Sequence, residues 1–343
     1  MSGTRSVRIA SSGERPSGGP LLHCVGTLLF LLPIHASSAF AGDPLHEACQ
    51  ANETAIRTAI VTFVREQESA GRNVQSREGR SDREKRLDGL YLHLHDRETV
   101  YCDLESLQWR HERTDLRNVT TLLDQAGLPE SERINVCRDA SILYRDCVSA
   151  SLEKTKYNLA ILRTPRSPAR TYRFDAPLHP GCISPRFFES DGFRVGPVSE
   201  TELDGIPVQR LVVTTSGEHP RSMVFFADPK IGYRYRRAEH RQPDGSLLTE
   251  HIATDYRVVD GIPYPFDFVE RHWAKGVQVE QTHVIVEQAR FNVSLEGQLQ
   301  IDLPPGTTVQ DTVGMTRKRK LQEGETMTTE QLGKIAASSR PSP

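Results

Sequence analysis

The chain has 343 residues, 37% of them hydrophobic and 26% charged, with a formal net charge of −2. A near-neutral balance excludes the basic footprint of a nucleic-acid binder, and the length admits one large all-β domain or two smaller ones. Arg5, Arg8 and Arg15, the apolar stretch Leu21–Ile34 and then Ala39-Phe40-Ala41 read as a signal peptide, with cleavage expected between Ala41 and Gly42. The stretch is short and broken by His23, Gly26 and Pro33, so an uncleaved anchor is the lesser reading. No later segment is apolar enough to span a bilayer, and the mature chain is expected to be exported, periplasmic or secreted. The leader's three Arg and one Glu make it +2, which leaves the mature part near −4.

From His46 the residues Ala48, Ala51, Ala55, Ile56, Ala59 and Ile60 recur at helical spacing, and Val61, Phe63 and Val64 then turn the pattern toward strand. Residues 69–88 are charged and Gly-bearing and read as a loop insertion. Leu90 to Arg113 alternates and reads as strands. Asn118 to Arg133 holds a short helix closed by Gly127 and Pro129. Ile134–Val148 and Lys156–Leu162 resume strand character. Residues 164–198 are rich in Pro and aromatics and read as a packed loop or a lid.

The most regular part follows. Val208–Thr215, Ser222–Ala227, Gly232–His240, Leu247–Val258 and Pro265–Trp273 are strand-like, and Val277–Val293 is long enough to bend or bulge. Links such as Pro243-Asp244-Gly245, Asp260-Gly261-Ile262-Pro263 and Ala274-Lys275-Gly276 supply turn residues. Strands joined by links this short run antiparallel, since a parallel pair needs a crossover of a dozen or more residues. Asp-Gly-Ile-Pro occurs at both 204–207 and 260–263, which reads as two similar reversals. Arg317-Lys318-Arg319-Lys320 lies in a polar stretch, 312–343, expected to be a disordered tail.

Cys49, Cys102, Cys137, Cys147 and Cys182 remain after the leader. They read as disulfide material in an oxidising compartment, an odd number that leaves about fifteen two-bridge schemes. Cys137 and Cys147 flank an expected hairpin and are the first pair to consider. No spacing matches a zinc site. His93 and His95 share a strand face near Asp96 and His111; two imidazoles there can chelate a metal, while an exposed polar face is the plainer account. Ser151-Leu152-Glu153-Lys154 matches S-x-x-K, but the supporting elements of that chemistry are missing. Nothing selects a nucleophile, a carboxylate pair or a cofactor.

The order of parts carries a family resemblance. Phe226-Ala227-Asp228-Pro229-Lys230 precedes Tyr233-Arg234-Tyr235; the return Tyr256-Arg257-Val258-Val259-Asp260-Gly261-Ile262-Pro263-Tyr264-Pro265 follows; Phe291-Asn292-Val293 and the run from Asp302 to Asp311 close the series. Over about residues 45–311 this resembles the LolA-like superfamily of periplasmic lipoprotein carriers, lipoprotein-sorting proteins and related stress-sensor domains. The resemblance implies an α+β fold: a single, strongly curved antiparallel half-barrel domain, 42–311, with helices covering its open side. It also implies a concave apolar face that holds acyl chains, lipid or a lipidated polypeptide. Tyr233, Tyr235, Tyr264, Phe266, Phe268 and Trp273 are the groove candidates, with Phe187 and Phe188 as lid candidates; ordinary core is the competing role for them.

The first functional reading is therefore a non-catalytic binding protein with a lipid, acyl-chain or lipoprotein partner. The alternative is an envelope sensor or interaction module of the same fold, acting on another envelope protein through its outer surface. An envelope hydrolase is a third reading, without a visible nucleophile cluster.

Overall fold

The computed structural model describes residues 43–70, 81–90, 92–106, 108–145, 148–153, 158–162, 181–311 and 317–338. Asp43 opens the first element by accepting a 2.9 Å hydrogen bond from the Leu45 amide, with Pro44 at the first helical position. This helix, α1 (Pro44–Ala55), buries Leu45 and Cys49 and gives way to β1 (Thr58–Ser69), whose alternate residues Ala59, Val61 and Phe63 are buried. Next come α2 (Asp82–Gly89), β2 (His93–Asp103), β3 (Gln108–Asp115), α3 (Val119–Ala126) and the single turn α4 (Arg133–Val136). The strands β4 (Ala140–Arg145), β5 (Val148–Glu153) and β6 (Asn158–Leu162) follow, then the short α5 (Arg186–Glu189) with β7 (Phe193–Val195) and β8 (Ser199–Leu203). The meander is β9 (Ile206–Thr215), β10 (Ser222–Asp228), β11 (Arg234–Arg241), β12 (Leu247–Val259), β13 (Ile262–Ala274) and β14 (Val277–Phe291). The chain ends with β15 (Asp302–Leu303), β16 (Thr308–Asp311), β17 (Arg317–Lys320), β18 (Met327–Thr328) and α6 (Thr329–Ser338).

One open sheet takes almost all of these strands, in the order β17-β16-β6-β5-β4-β3-β2-β1-β14-β13-β12-β11-β10-β9-β7, with β8 also on β9. Every described pair in it is antiparallel except β16 against β6. Its central seam joins β1 to β14, so the chain's first strand closes onto the last strand of the meander. Register shifts at Thr62/Phe63, Phe226/Ala227, His240/Arg241 and His272/Trp273 mark bulges, which bend strands and increase their twist. This is the α+β architecture expected, a large antiparallel sheet left unclosed and carrying few helices.

The tightest reversals share one chemistry. Asp204-Gly205, Asp260-Gly261 and Lys275-Gly276 have φ of 51/79°, 50/81° and 53/77°. Two successive positive φ values define the turn that matches strand twist in a two-residue hairpin, and Gly takes the second place without steric cost. The repeated Asp-Gly-Ile-Pro is thus one turn type used twice.

The main core lies on the face that carries Val61, Phe63, Leu211, Phe225, Tyr264, Phe268 and Val284, beneath α1. A second cluster joins Leu143, Val148 and Ala160 to Ile301, Leu303, Leu321 and Leu332. A third packs Val119, Leu123, Leu128 and Val136, with Leu87, Leu90 and Cys137 against it.

Four expectations change. The insertion near 69–88 is not all loop, because Ser81 and Glu84 form a reciprocal capping box that starts α2. The stretch read as a disordered tail forms β17, β18 and α6; pairing with β16 and burial of Leu332 in the second cluster order it. Ile134 to Val136 is helical rather than strand, with the strand starting at Ala140. Cys137 is a free thiol packed against the third cluster, and Cys147 lies outside the described residues, as do the leader with its cleavage site and 164–180 of the Pro-aromatic segment.

Candidate functional site

Antiparallel register sets side chains into rows across the meander. Met223, His240, Thr249 and His272 form one row over β10 to β13, and Phe225, Ala238, His251 and Glu270 form the next. Residues directly opposite in an antiparallel pair share a face. The first row is one wall of a half-open cavity of about 600 Å³, lined further by Phe187 of α5, Phe193 of β7, Leu248, Trp273 and Val279, with Thr215, Arg221 and Ser222 also on its lining. Phe187 is fixed there by an edge-on contact to Phe193 at 5.0 Å and a tilted contact to Phe225 at 5.6 Å.

His240 and His272 stand with Thr249 on the polar side of this wall. His272 is held at both nitrogens, Nδ1 to the Thr249 hydroxyl at 3.2 Å and Nε2 to the Glu270 carboxylate at 2.7 Å. His240 and His251 stand 5.5 Å apart, and His251 tilts against Phe268 at 5.8 Å. Burial pushes both below the usual imidazole range against the pull of Glu270, and His251 falls to about 4. Both rings are therefore neutral at pH 7; His240 lines the cavity, and His251 lies in the next row, off its lining.

That depression has a consequence for stability. The unfolded chain binds a proton at His251 near pH 6.5, whereas the folded protein resists it until about pH 4. The folded state accordingly has this contribution in full above pH 6.5 and loses it as the pH falls toward 4. Urea melts of the protein at pH 7, 6, 5 and 4.5 are expected to show falling stability over this window, with a flatter course for His251→Gln. A variant with the wild-type slope would show that His251 does not carry it.

The residues picked out in the sequence divide between cavity and core. Trp273 and Phe187 line the cavity. Tyr235, Tyr264, Phe266 and Phe268 are buried in the main core. Tyr233 takes a left-handed φ of 60° just before β11 and packs at the core's margin. Phe188 stacks on His46 of α1 at 4.7 Å, so it joins two covering elements to each other. Met223, His240, Leu248 and Phe193 were not singled out in the sequence; the period-two alternation places Met223 with Phe225, and no stronger signal marks them.

On β1 to β3 the inner face changes character. Phe63 is followed on its face by Arg65, and Arg65 pairs with buried Asp96 at 3.0 Å and buried Glu98 at 2.6 Å. His111 meets Glu98 at 2.6 Å, and Arg138 reaches Asp96 at 3.5 Å. The imidazole nearest the suspected metal pair is thus spent on an ion-paired network. His95 faces Glu66 at 3.5 Å on an exposed stretch. Among the described residues no three His, Cys, Asp or Glu come together as metal ligands.

No family model matches the chain, and no curated protein does. Solved structures do. A LolA superfamily protein from Nitrosomonas europaea is similar over 74% of this chain and 95% of its own, with 11% identity and a TM-score of 0.40. An outer membrane lipoprotein-sorting protein domain from Vibrio parahaemolyticus covers 74% and 94%, with 12% identity and a TM-score of 0.40. A DUF1329 family protein from Desulfovibrio piger covers 74% and 93%, with 14% identity and a TM-score of 0.42. Sheet order and register define the fold here, and the site has to be read from its own residues. Among the described residues no helix is long and apolar enough to cross a membrane.

Proposed function

We propose that this protein is an exported, non-catalytic binding protein that shelters one acyl chain, free or attached to a larger molecule, in the cavity under Phe187. The observation that carries the reading is the cavity itself. Its volume of about 600 Å³ lies inside the range of small-molecule sites, roughly 300–1,000 Å³. Phe187, Phe193, Met223, Leu248, Trp273 and Val279 give it an apolar lining, and each CH2 transferred there from water is worth about 0.8 kcal/mol. The leader sequence supports export.

Trp273 supplies the readout, because the chain has only two tryptophans and the other, Trp109, is buried and stacked on Tyr144 at 4.4 Å. Titrating the mature protein with decanol is expected to shift Trp273 emission to the blue, and Trp273→Phe to abolish the shift. Met223→Glu puts a charge on the half-buried cavity wall and is expected to weaken uptake at least ten-fold while leaving the fold intact. Equal uptake by folded Met223→Glu would remove the cavity from consideration. No uptake by wild type would turn the reading to the outer surface as a protein-interaction face.

A further inference from the structure

The feature of the interior least explained by folding is Arg234. It is the first residue of β11 and has no exposed surface. Each other arginine of β11 has a carboxylate: Arg236 has Asp228 at 2.8 Å, Arg237 has Glu239 at 2.8 Å and Glu250 at 2.7 Å, and Arg241 has Glu239 at 2.7 Å. Arg234 has none among the described residues. Its Nη1 donates to the Cys182 sulfur at 2.8 Å, and its Nε and Nη2 are buried with no partner.

The buried carboxylate nearest in register, Asp228 directly opposite on β10, is taken by Arg236, and the thiols and phenols around Arg234 are neutral at pH 7. Burial pushes the Cys182 thiol up, with Arg234 pulling the other way, and burial pushes the Cys49 thiol of α1 up to about 12. The Tyr264 and Tyr256 phenols, whose ionisation Arg234 also influences, are raised by burial too. Glu53 of α1, whose charge reaches Cys182, is exposed and not paired with Arg234. A guanidinium is always charged, and burying one with two donors unpaired and no carboxylate in direct contact is costly.

The identity of the two empty donors points to what they take. Nε–H and Nη2–H lie side by side along one edge of the planar guanidinium, the edge that meets both oxygens of a carboxylate in a bidentate pair. A singly charged carboxylate balances one guanidinium, whereas a doubly charged phosphate would leave an excess in a low-dielectric interior. We propose that Arg234 anchors a carboxylate-binding site, its free fork taking both oxygens of a ligand carboxylate beneath a cover made by α1 and Gly181–Ile183. The cover is tied down at identifiable points. Asn52 of α1 donates to the Gly232 carbonyl at 2.8 Å, and the Tyr235 amide donates to the Gly181 carbonyl at 2.7 Å. Gly181 has φ 81°, and a Cβ there would meet the Tyr256 hydroxyl at 2.1 Å, so this stretch lies flat on the sheet. A ligand reaches the fork when that stretch lifts. The site stands apart from the cavity under Phe187, which Arg234 does not line.

The test is thermal melting of the whole mature protein with acetate, decanoate and decanol, each against sodium chloride at equal ionic strength, for wild type, Arg234→Met and Arg234→Lys. Lysine keeps the charge and cannot offer the fork. Acetate and decanoate are expected to raise the wild-type Tm and to bind both variants at least ten-fold more weakly, while decanol is indifferent to residue 234. Similar effects of acetate and decanoate mark a site for the carboxylate alone; a much larger decanoate effect marks a fatty-acid head group, and either supports the proposal. Variants that respond as wild type does, or a wild type that responds to neither carboxylate, overturn it. Should neither variant fold, an arginine Nε–H resonance that moves on adding acetate to wild type decides the matter, and none moving overturns the site. The two readings fail separately: decanol uptake without an acetate effect leaves only the cavity, and an acetate effect without decanol uptake leaves only Arg234.

Discussion

Replacing Phe268 with alanine is expected to lower stability by about 3–5 kcal/mol. The ring is 4% exposed and sits at the centre of the main core, with His251 at 5.8 Å and with Ala253 and Val284 opposite it on the neighbouring strands. Ala253 is too small to fill the gap, and both flanking strands are held by long ladders, so the site collapses little and the cavity cost stays large. Phe268→Asp is expected to be worse, because it also buries a carboxylate with no cation assigned to it. Phe268 had the sequence profile of a groove residue, yet a substitution there would abolish ligand retention by unfolding the protein. Urea melts of Phe268→Ala check this, and a loss below about 1 kcal/mol, the scale of an ordinary surface change, would mean that the ring is not core.

Removing one carboxylate from the buried network on β1 to β3 ranks beside it. Glu98→Ala leaves Arg65 and His111 without a shared partner, and breaking such a pair from one side costs about 3–5 kcal/mol. Burial works against the Glu98 charge, but the hydrogen bond from His111 and the charge of Arg65 together hold its carboxyl below the usual range. Because the folded value lies below the ordinary 4.5, its contribution is present above pH 4.5 and is lost as the pH falls through the folded value. Wild type and Glu98→Ala should therefore differ most near neutrality and converge in acid. Parallel stability curves across pH 7 to 3 would contradict this origin. The window lies below that of His251, so the two can be separated by pH alone.

The meander was legible because turn chemistry and period two agree along it. Asp260-Gly261 and Lys275-Gly276 announce reversals whatever surrounds them, and the strands between them follow. The capping box that starts α2 was present as Ser81 and Glu84, but charged neighbours on all sides hid it. The helix–strand switch after Ala55 was visible as a change of period. Elements made by pairing rather than by pattern were not visible: Arg317–Lys320 is a strand because Thr308–Asp311 lies beside it, and no property of four basic residues says so. The site was half legible for a similar reason. Trp273 and Phe187 stand out by type, but only register puts Met223, His240, Thr249 and His272 in one row. Arg234 passed as one of several arginines, since a missing partner cannot be seen before the partners of the others are known.

Among the described residues the open sheet has two edges, and it guards them differently. One edge strand is β17, where Arg319 and Lys320 are exposed beside Arg317 and Lys318 in the sequence. The other is divided between β7 and β8, of three and five residues, so no long backbone ladder is offered there. Positive charge repels a second copy of the same edge, and short strands give an incoming chain little to pair with. A sheet this size could otherwise extend from molecule to molecule. The basic run that looked like a loose end thus sets like charges along the edge at which this sheet would meet a second copy of itself.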